Sequence, residues 1–312
     1  MGIKEVTYKE FDDIFHESNY VFNKAAFNNL NKHRTEEVKY LIFNDVGKDK
    51  VGIIGGIKDG IFSSPFSAPF GGWSYNGDIE LKDLENAYES LEKYLVAKGV
   101  KKIKITLPPF FYNGSDLALV WNVAFRRGYN NTVTDLNFQF DLDYFNENYL
   151  QNIAYNARKN YKIGERERLC FCKVTEPDKI RQAYDIISEN RKQRGFPLKM
   201  RFEDVIRTIE VVKADFFIVT DKANNNAASA MVFHVTEEIV QVVYWGHLAE
   251  HASLKPINFL SYNLFGYYKK AGMAYVDIGP STEDSIPNYG LVEFKQSIGC
   301  EVSAKITLIK NL

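Results

Sequence analysis

Lys295 and Asp277 are the side chains in this chain best suited to chemistry. An amine on a helix that follows a loop can neutralise charge building on an acyl oxygen or a phosphate. Asp277 lies between Val276 and Ile278, in an apolar stretch where an unpaired carboxylate is costly to bury. It therefore needs a partner, and it can orient an attacking amine, take a proton or cap a neighbouring loop. Glu283 and Asp284 follow in a polar turn, as proton acceptors or as solvated charges. His247 and His251 are spaced i, i+4 with Glu250 between them. That spacing serves zinc only on a helix and with a third ligand. The segment reads as a loop, so no metal site is expected, and a histidine here is a polar loop residue or an acid–base group.

These residues need a frame. An apolar strand over residues 275–278 runs into Gly279 and Pro280, then a turn-rich loop, then a short amphipathic helix carrying Phe294 and Lys295. The end of a buried strand is a usual place for a ligand. Upstream, the same order of elements occurs twice. Strands are expected at 40–43, 51–57 and 61–62, a helix at 81–98 with Leu84, Ala87, Leu91 and Leu95 on one face, Gly99 as its C-cap, and a strand at 102–107. The second half gives strands at 216–219, 229–234 and 240–245, a helix at 257–271 with Leu260, Leu264 and Tyr268 inward, Gly272, and a strand at 274–278. Each half opens with a helix (9–30 and 177–194) and closes with a helix and a strand (133–142 and 302–309). Between them, Leu150, Ile153, Ala157 and Tyr161 mark a helical stripe opposite Arg158, Lys159, Lys162, Arg166 and Arg168. The expected boundaries are 1–146 and 147–312, an α+β fold of two tandem units.

Bulk properties narrow the class. A chain of 312 residues can build two cores. Its 39 basic and 40 acidic side chains leave a formal charge of −1, which argues against a whole-surface DNA binder while leaving room for a local basic face. No apolar run approaches the length of a membrane span, and no apolar signal core is seen, so a cytoplasmic protein is expected. Cys170, Cys172 and Cys300 form neither a disulfide framework nor a zinc spacing. The Cys-x-Cys pair should lie on one face of a strand as small packed residues.

The run from Asp277 to Gly299, with Asp-x-Gly, a polar loop, Asn288-Tyr-Gly-Leu291 and Phe294-Lys295, resembles the end of the acyltransferase domain in the Fem-like peptidoglycan aminoacyltransferases, part of the GNAT-like N-acyltransferase superfamily. Ala157-Arg-Lys-Asn-Tyr-Lys162 is close to the basic helix that opens their second domain, and Gly195-Phe-Pro197 matches a turn found there. The long helical arm of some members has no counterpart.

The resemblance implies two tandem GNAT-like domains with a groove between them. It implies roles for Lys295 and Asp277 in catalysis. Asn288 and Tyr289 would line the acceptor side, together with Trp73 and Tyr75 from an aromatic-Gly-Gly segment (Ser63 to Tyr75), whose rings would otherwise be core. Tyr244 ends the strand beside the reacting centre, where splayed-strand backbone near residues 243–245 would, with Lys295, stabilise the oxyanion. Lys255 and Asn258 open the helix whose N-terminus, in GNAT enzymes, receives the pyrophosphate of the acyl donor. Arg158 and its basic neighbours would meet tRNA or an acidic precursor, unless they form a solvated face. The glycine-rich loop of acetyl-CoA enzymes is missing; His247 to Pro256 stands in its place, and without glycine the backbone cannot easily wrap a pyrophosphate.

The expected activity is transfer of an acyl or aminoacyl group to a primary amine, on a cell-wall precursor such as a muropeptide, with no cofactor and with either aminoacyl-tRNA or acyl-CoA as donor. The alternatives are an acyl-CoA-dependent acetyltransferase of a sugar or small metabolite, and a GNAT-shaped binding protein without chemistry.

Overall fold

In each half of the chain, a strand, a helix and a second strand make a right-sized crossover that forces the two strands to run parallel. The computed structural model describes residues 2–16, 20–45 and 48–312. It divides the chain into two compact units, Met1–Leu136 with Ser303–Leu312, and Asn137–Val302.

In the first unit the sheet runs in the order Gly2–Glu5, Glu37–Asp45, Lys48–Lys58, Ile61–Ser64, Lys102–Thr106 and then Glu301–Asn311. Ile61–Ser64 and Lys102–Thr106 pair in parallel, joined by the helix Leu81–Ala97. Leu84, Ala87, Leu91 and Leu95 of that helix are fully buried against the sheet. Each such leucine contributes roughly 1.5–3 kcal/mol by leaving water. Gly99, at φ 76, ends the helix in the left-handed region, as its position past the last apolar residue requires.

In the second unit, residues 137–141 of the strand Asn130–Asp141 pair with Tyr275–Pro280, followed across the sheet by Ile239–His247, Asn226–His234, Ala214–Thr220 and Cys170–Val174. Ile239–His247 and Tyr275–Pro280 are the parallel pair, joined by the helix Pro256–Lys270. Leu260, Leu264, Phe265 and Tyr268 fill the core beneath it. The far end of this helix is anchored by Asp215, which accepts from Tyr268 Oη at 2.9 Å and pairs with His234 at 2.8 Å and Lys173 at 2.6 Å. Burial alone would raise the Asp215 carboxyl; the hydrogen bonds from His234, Lys173 and Tyr268 outweigh it and hold the group well below the usual carboxylate range.

The repeated order of elements is therefore present, with four differences from the sequence expectation. The helix expected over 9–30 is two short ones, Tyr8–Ile14 and Ala25–Leu30, with a 3-10 turn Val21–Asn23 between; residues 17–19 of that expectation lie outside the described residues. Asn28 Nδ2 takes the carbonyls of Phe22 and Lys24 at 2.8 and 3.0 Å, and Lys24 is extended. The stripe from Leu150 to Tyr161 breaks at Ile153 and Ala154, which are extended, and Ala154 N donates to Ser297 O at 3.1 Å; helices Tyr149–Asn152 and Tyr155–Arg166 flank the break. Cys170 and Cys172 do share one face of a strand, but they are exposed. Phe171, stacked on Phe217, takes the covered face, and the strand is at the sheet's edge. Finally, a single cut between 146 and 147 does not describe the units, because residues 303–312 join the first one.

Candidate active site

The parallel pair of the second unit is joined at only three positions: Ile239 with Tyr275, Val240 with Val276, and Gln241 with Asp277. Ile239–His247 then continues to His247, held on its other side by Asn226–His234 with a register shift between Met231 and Val232. The partner strand turns away at Gly279, whose φ of 73 suits glycine. The two strands thus part after Gln241 and Asp277, and the backbone of residues 242–246 loses its ladder on that side. A bulge that bends a strand beside a cavity is a recurrent way to open a site.

A pocket of about 540 Å³ lies at this end of the strand. Trp245, Gly246 and His247 line it from the strand, and Lys255 to Asn258 from the start of the helix. Asn288, Leu291 and Phe294 close one side, with Asn160, Asn190 and Arg194 on another. Asn190 Nδ2 donates to His247 O at 2.7 Å, and a Cβ on Gly246 would stand 2.8 Å from Asn190 Cβ. Glycine is what lets helix and strand approach this closely. Lys255 is in the left-handed region (φ 56) immediately before Pro256, and no side chain caps the helix that follows. The first-turn amides are left to solvent or ligand, with the helix dipole favouring negative charge. Asn288 caps the other helix, Tyr289–Ser297, accepting from Leu291 N at 3.1 Å. Burial first, and then the charges of Arg194 and Lys255, hold the His247 pKa below the ordinary imidazole value.

Asp277 and Lys295 form a second, buried arrangement. Asp277 is fully buried, with Oδ1 accepting from Asn137 Nδ2 and Gly279 N at 2.8 Å each, and Oδ2 from Gln241 Nε2 at 2.7 Å. Lys295 is 2% exposed, and its Nζ donates to Gly279 O at 2.8 Å and Pro280 O at 3.0 Å. The Gly279 peptide therefore has its N–H on the aspartate and its C=O on the lysine. Burial brings the Lys295 pKa down from 10.5 to about 8, and the charge of Asp277 opposes part of that fall. Neither residue lines the pocket, although the neighbouring Phe294 does, with its ring centroid 5.9 Å from that of Trp245.

The other expected site residues divide. Lys255, Asn258 and Asn288 come together in the pocket. Tyr289 is 72% exposed. Tyr244 has the Arg191 guanidinium 5.4 Å from its ring centroid, and Arg158 bonds to Leu150 O at 3.4 Å; neither lines the pocket. Trp73 and Tyr75 belong to the first unit's interior, where the Trp73 ring packs against Tyr88 at 4.7 Å and burial raises the Tyr75 phenol well above its ordinary value. The sequence reading missed Asn160, Asn190 and Arg194. One signal for Asn190 was available: it continues the buried stripe Ile180, Ala183, Ile186 and Ile187 of the helix Pro177–Gln193, a polar residue on an apolar face. Residues 249–254, read as loop, form a 3-10 helix, Ala249–Leu254.

In the first unit, the corresponding place beyond Ile61–Ser64 and Lys102–Thr106 holds a cavity of about 20 Å³, lined in part by Tyr20, Trp73, Ser74, Tyr75 and Asp116. The loop after Ser64 folds back so that Gly71 N donates to Thr106 O at 2.9 Å. Among the described residues, no group of three or more His, Cys, Asp or Glu is placed to hold a metal ion, and no helix is long and apolar enough to cross a membrane.

No family model matches the sequence, and no curated protein matches it. Solved structures do match over nearly the whole chain. FemX is similar at 12% identity and a TM-score of 0.73, covering 100% of this chain and 98% of that one. The C-terminal domain of a putative lysylphosphatidylglycerol synthetase from Agrobacterium fabrum is similar at 13% identity and a TM-score of 0.63, with 98% and 92% covered. A tandem GNAT protein from the clavulanic acid biosynthesis pathway is similar at 10% identity and a TM-score of 0.53, with 99% and 98% covered. The chain thus has the α+β fold of FemX, two GNAT-like units in tandem.

Proposed function

We propose that the second unit is the working half of an N-acyltransferase of the Fem type, with the acyl donor seated in the pocket between the parted strands. One observation carries the reading: pairing stops after Gln241 and Asp277, and a pocket of about 540 Å³ opens at the freed backbone. A primary amine attacks the carbonyl of an activated ester; the new C–N bond forms, the C–O bond breaks, and the departing oxygen takes up the amine's proton. The freed backbone amides near residues 243–245 favour the oxyanion, and Lys295, outside the pocket, holds the turn at Gly279 and Pro280 through their two carbonyls. Asp277 has both oxygens engaged and no exposure, which supports a positioning role: it fixes the Gly279 turn on which Lys295 is held.

Aminoacyl-tRNA is the proposed donor and a cell-wall precursor amine, reached in the cytoplasm, the proposed acceptor, with no cofactor required. The absence of glycine from residues 247–256 supports this donor over acyl-CoA, although a tandem GNAT protein described in its AcCoA-free form shares the fold. The test is transfer of a labelled aminoacyl group from charged tRNA, or of acetyl from acetyl-CoA, to the lysine amine of a nucleotide-linked muropeptide. Amide formation from one donor class is expected, and Lys295→Met should lower it by releasing the Gly279 and Pro280 carbonyls. Lack of amide with both donors across a panel of amines would overturn the reading, and unchanged rates in Lys295→Met would remove the role given to that residue.

A further inference from the structure

After Gln241, the strand Ile239–His247 is paired on one side alone, with Asn226–His234. Leu248 N donates to Ala227 O at 2.9 Å on that paired side. Backbone groups alternate in direction along a strand, so Tyr244 and Gly246 turn theirs the same way, and Trp245 and His247 turn theirs to the open edge. An open edge thus shows carbonyls as well as amides, and a carbonyl repels the negative charge that develops on an acyl oxygen. The His247 carbonyl is covered, because Asn190 Nδ2 donates to it at 2.7 Å. We propose that Asn190 is a positioning residue for the acyl transfer: by holding the His247 carbonyl it fixes the end of the open strand and leaves the strand's amides aimed at the reacting carbonyl. The inference rests on the reading of the pocket as the donor site and adds the residue that keeps the freed backbone in place.

Asn190 is a buried carboxamide on a helix face otherwise made of Ile180, Ala183, Ile186 and Ile187. Such a group is costly to bury unless it is paired, and here its partner is a backbone atom of the pocket wall. The same helix is fastened to the sheet at a second point, where Ser229 Oγ donates to Ala183 O at 2.7 Å. Ser229 is the register partner of Gly246, so the two bonds tie the helix to neighbouring strands on either side of one residue pair. Gly246 completes the fit, since a Cβ there would also stand 3.0 Å from Asn190 Cγ. Arg191, the next residue of the helix, has its guanidinium 5.4 Å from the Tyr244 ring centroid. Consecutive helix residues therefore hold the strand at Tyr244 and at His247. The peptide between His247 and Leu248 is bonded at both of its polar atoms, its C=O by Asn190 and its N–H by Ala227. The open stretch thus ends at a fixed point, and the amides before it need no reorganisation as charge develops.

Asn190→Leu keeps the size of the side chain and removes the donor, whereas Asn190→Asp keeps the shape and sets a negative charge against the carbonyl. With the donor class that the unsubstituted protein accepts, Asn190→Leu should lower kcat about 10–100-fold, with KM for donor and acceptor within about twofold. Asn190→Asp should lower kcat at least as far. Asn190→Ala, which introduces no bulk, carries the same comparison if Asn190→Leu does not fold. Urea unfolding of each variant gives the folded fraction, and a role in folding alone would leave kcat per folded molecule unchanged. The bond itself is read without the reaction: the His247 carbonyl carbon and the Leu248 amide should shift in the NMR spectrum of Asn190→Leu, while the amides of Phe217 and Ile218 stay in place. An unmoved His247 carbonyl, an unchanged kcat in folded variants, or a loss confined to KM would overturn the proposal. Absence of transfer by the unsubstituted protein from both donor classes would remove the donor-site reading and this role with it. Transfer by the unsubstituted protein and by the variants at one kcat would remove the role alone.

Discussion

The two units place the same three elements, strand, helix and parallel strand, around the same spot, yet one spot is a pocket of about 540 Å³ and the other a cavity of about 20 Å³. The difference lies in the course of the chain just beyond the first strand of each pair. In the second unit, Ile239–His247 continues past the last paired residue, and its backbone edge stays open. In the first, the chain turns back after Ser64, Gly71 bonds to the neighbouring strand, and Trp73 and Tyr75 enter the gap. Duplicated architecture therefore does not duplicate a site; a short run of residues after a strand decides whether the fold's opening is used or plugged.

The strongest way to break this comparison is to remove the plug. Trp73→Ala should cost about 3–5 kcal/mol in denaturant unfolding, because it empties a packed core position. The first unit should still show no binding of coenzyme A or tRNA; binding there would mean that the tryptophan alone separates the units. Next in size is the pH behaviour of Lys295, whose pKa lies at about 8. A rate that needs its ammonium should fall as pH rises through about 8, and Lys295→Met should lose that limb of the profile. Stability should move the other way: the unfolded lysine holds its proton up to about 10.5, so raising pH between these values favours the folded state. Gly246→Ala should push Asn190 from the strand at about 1–3 kcal/mol, read in denaturant unfolding, and lower the rate of amide formation. The smallest effect is expected for Gly279→Ala, about 1 kcal/mol for a side chain at φ 73 with open space around it, read as a lower thermal midpoint with the pocket intact.

The sequence disclosed the repeated order because each element carries its own period: the stripe of Leu84 to Leu95 and the alternation of Lys102–Thr106 need no partner to be recognised. It disclosed the strand end near Asp277 for the same reason. The parting of the strands near residues 243–245 came from the family resemblance alone, since neither the end of pairing after Gln241 nor the extra residue Val243 opposite Met231 and Val232 leaves a local period to read. The sequence ranked Lys295 as a residue facing a ligand, whereas burial and two carbonyls hold it inside; the spacing of a short helix does not say which face is covered. Trp73 and Tyr75 were open to both readings, because aromatic rings beside two glycines suit a wall and a core equally.

The strand Glu301–Asn311 gives the first unit Ile306 and Leu308, both among its most buried side chains. These residues leave the ribosome more than 160 positions after Leu136 closes the rest of that unit. The half of the molecule that is begun first is thus the half that finishes second. Until this strand docks, the edge of Lys102–Thr106 stays unpaired and liable to meet the wrong partner, so maturation of the first unit waits on synthesis of the second.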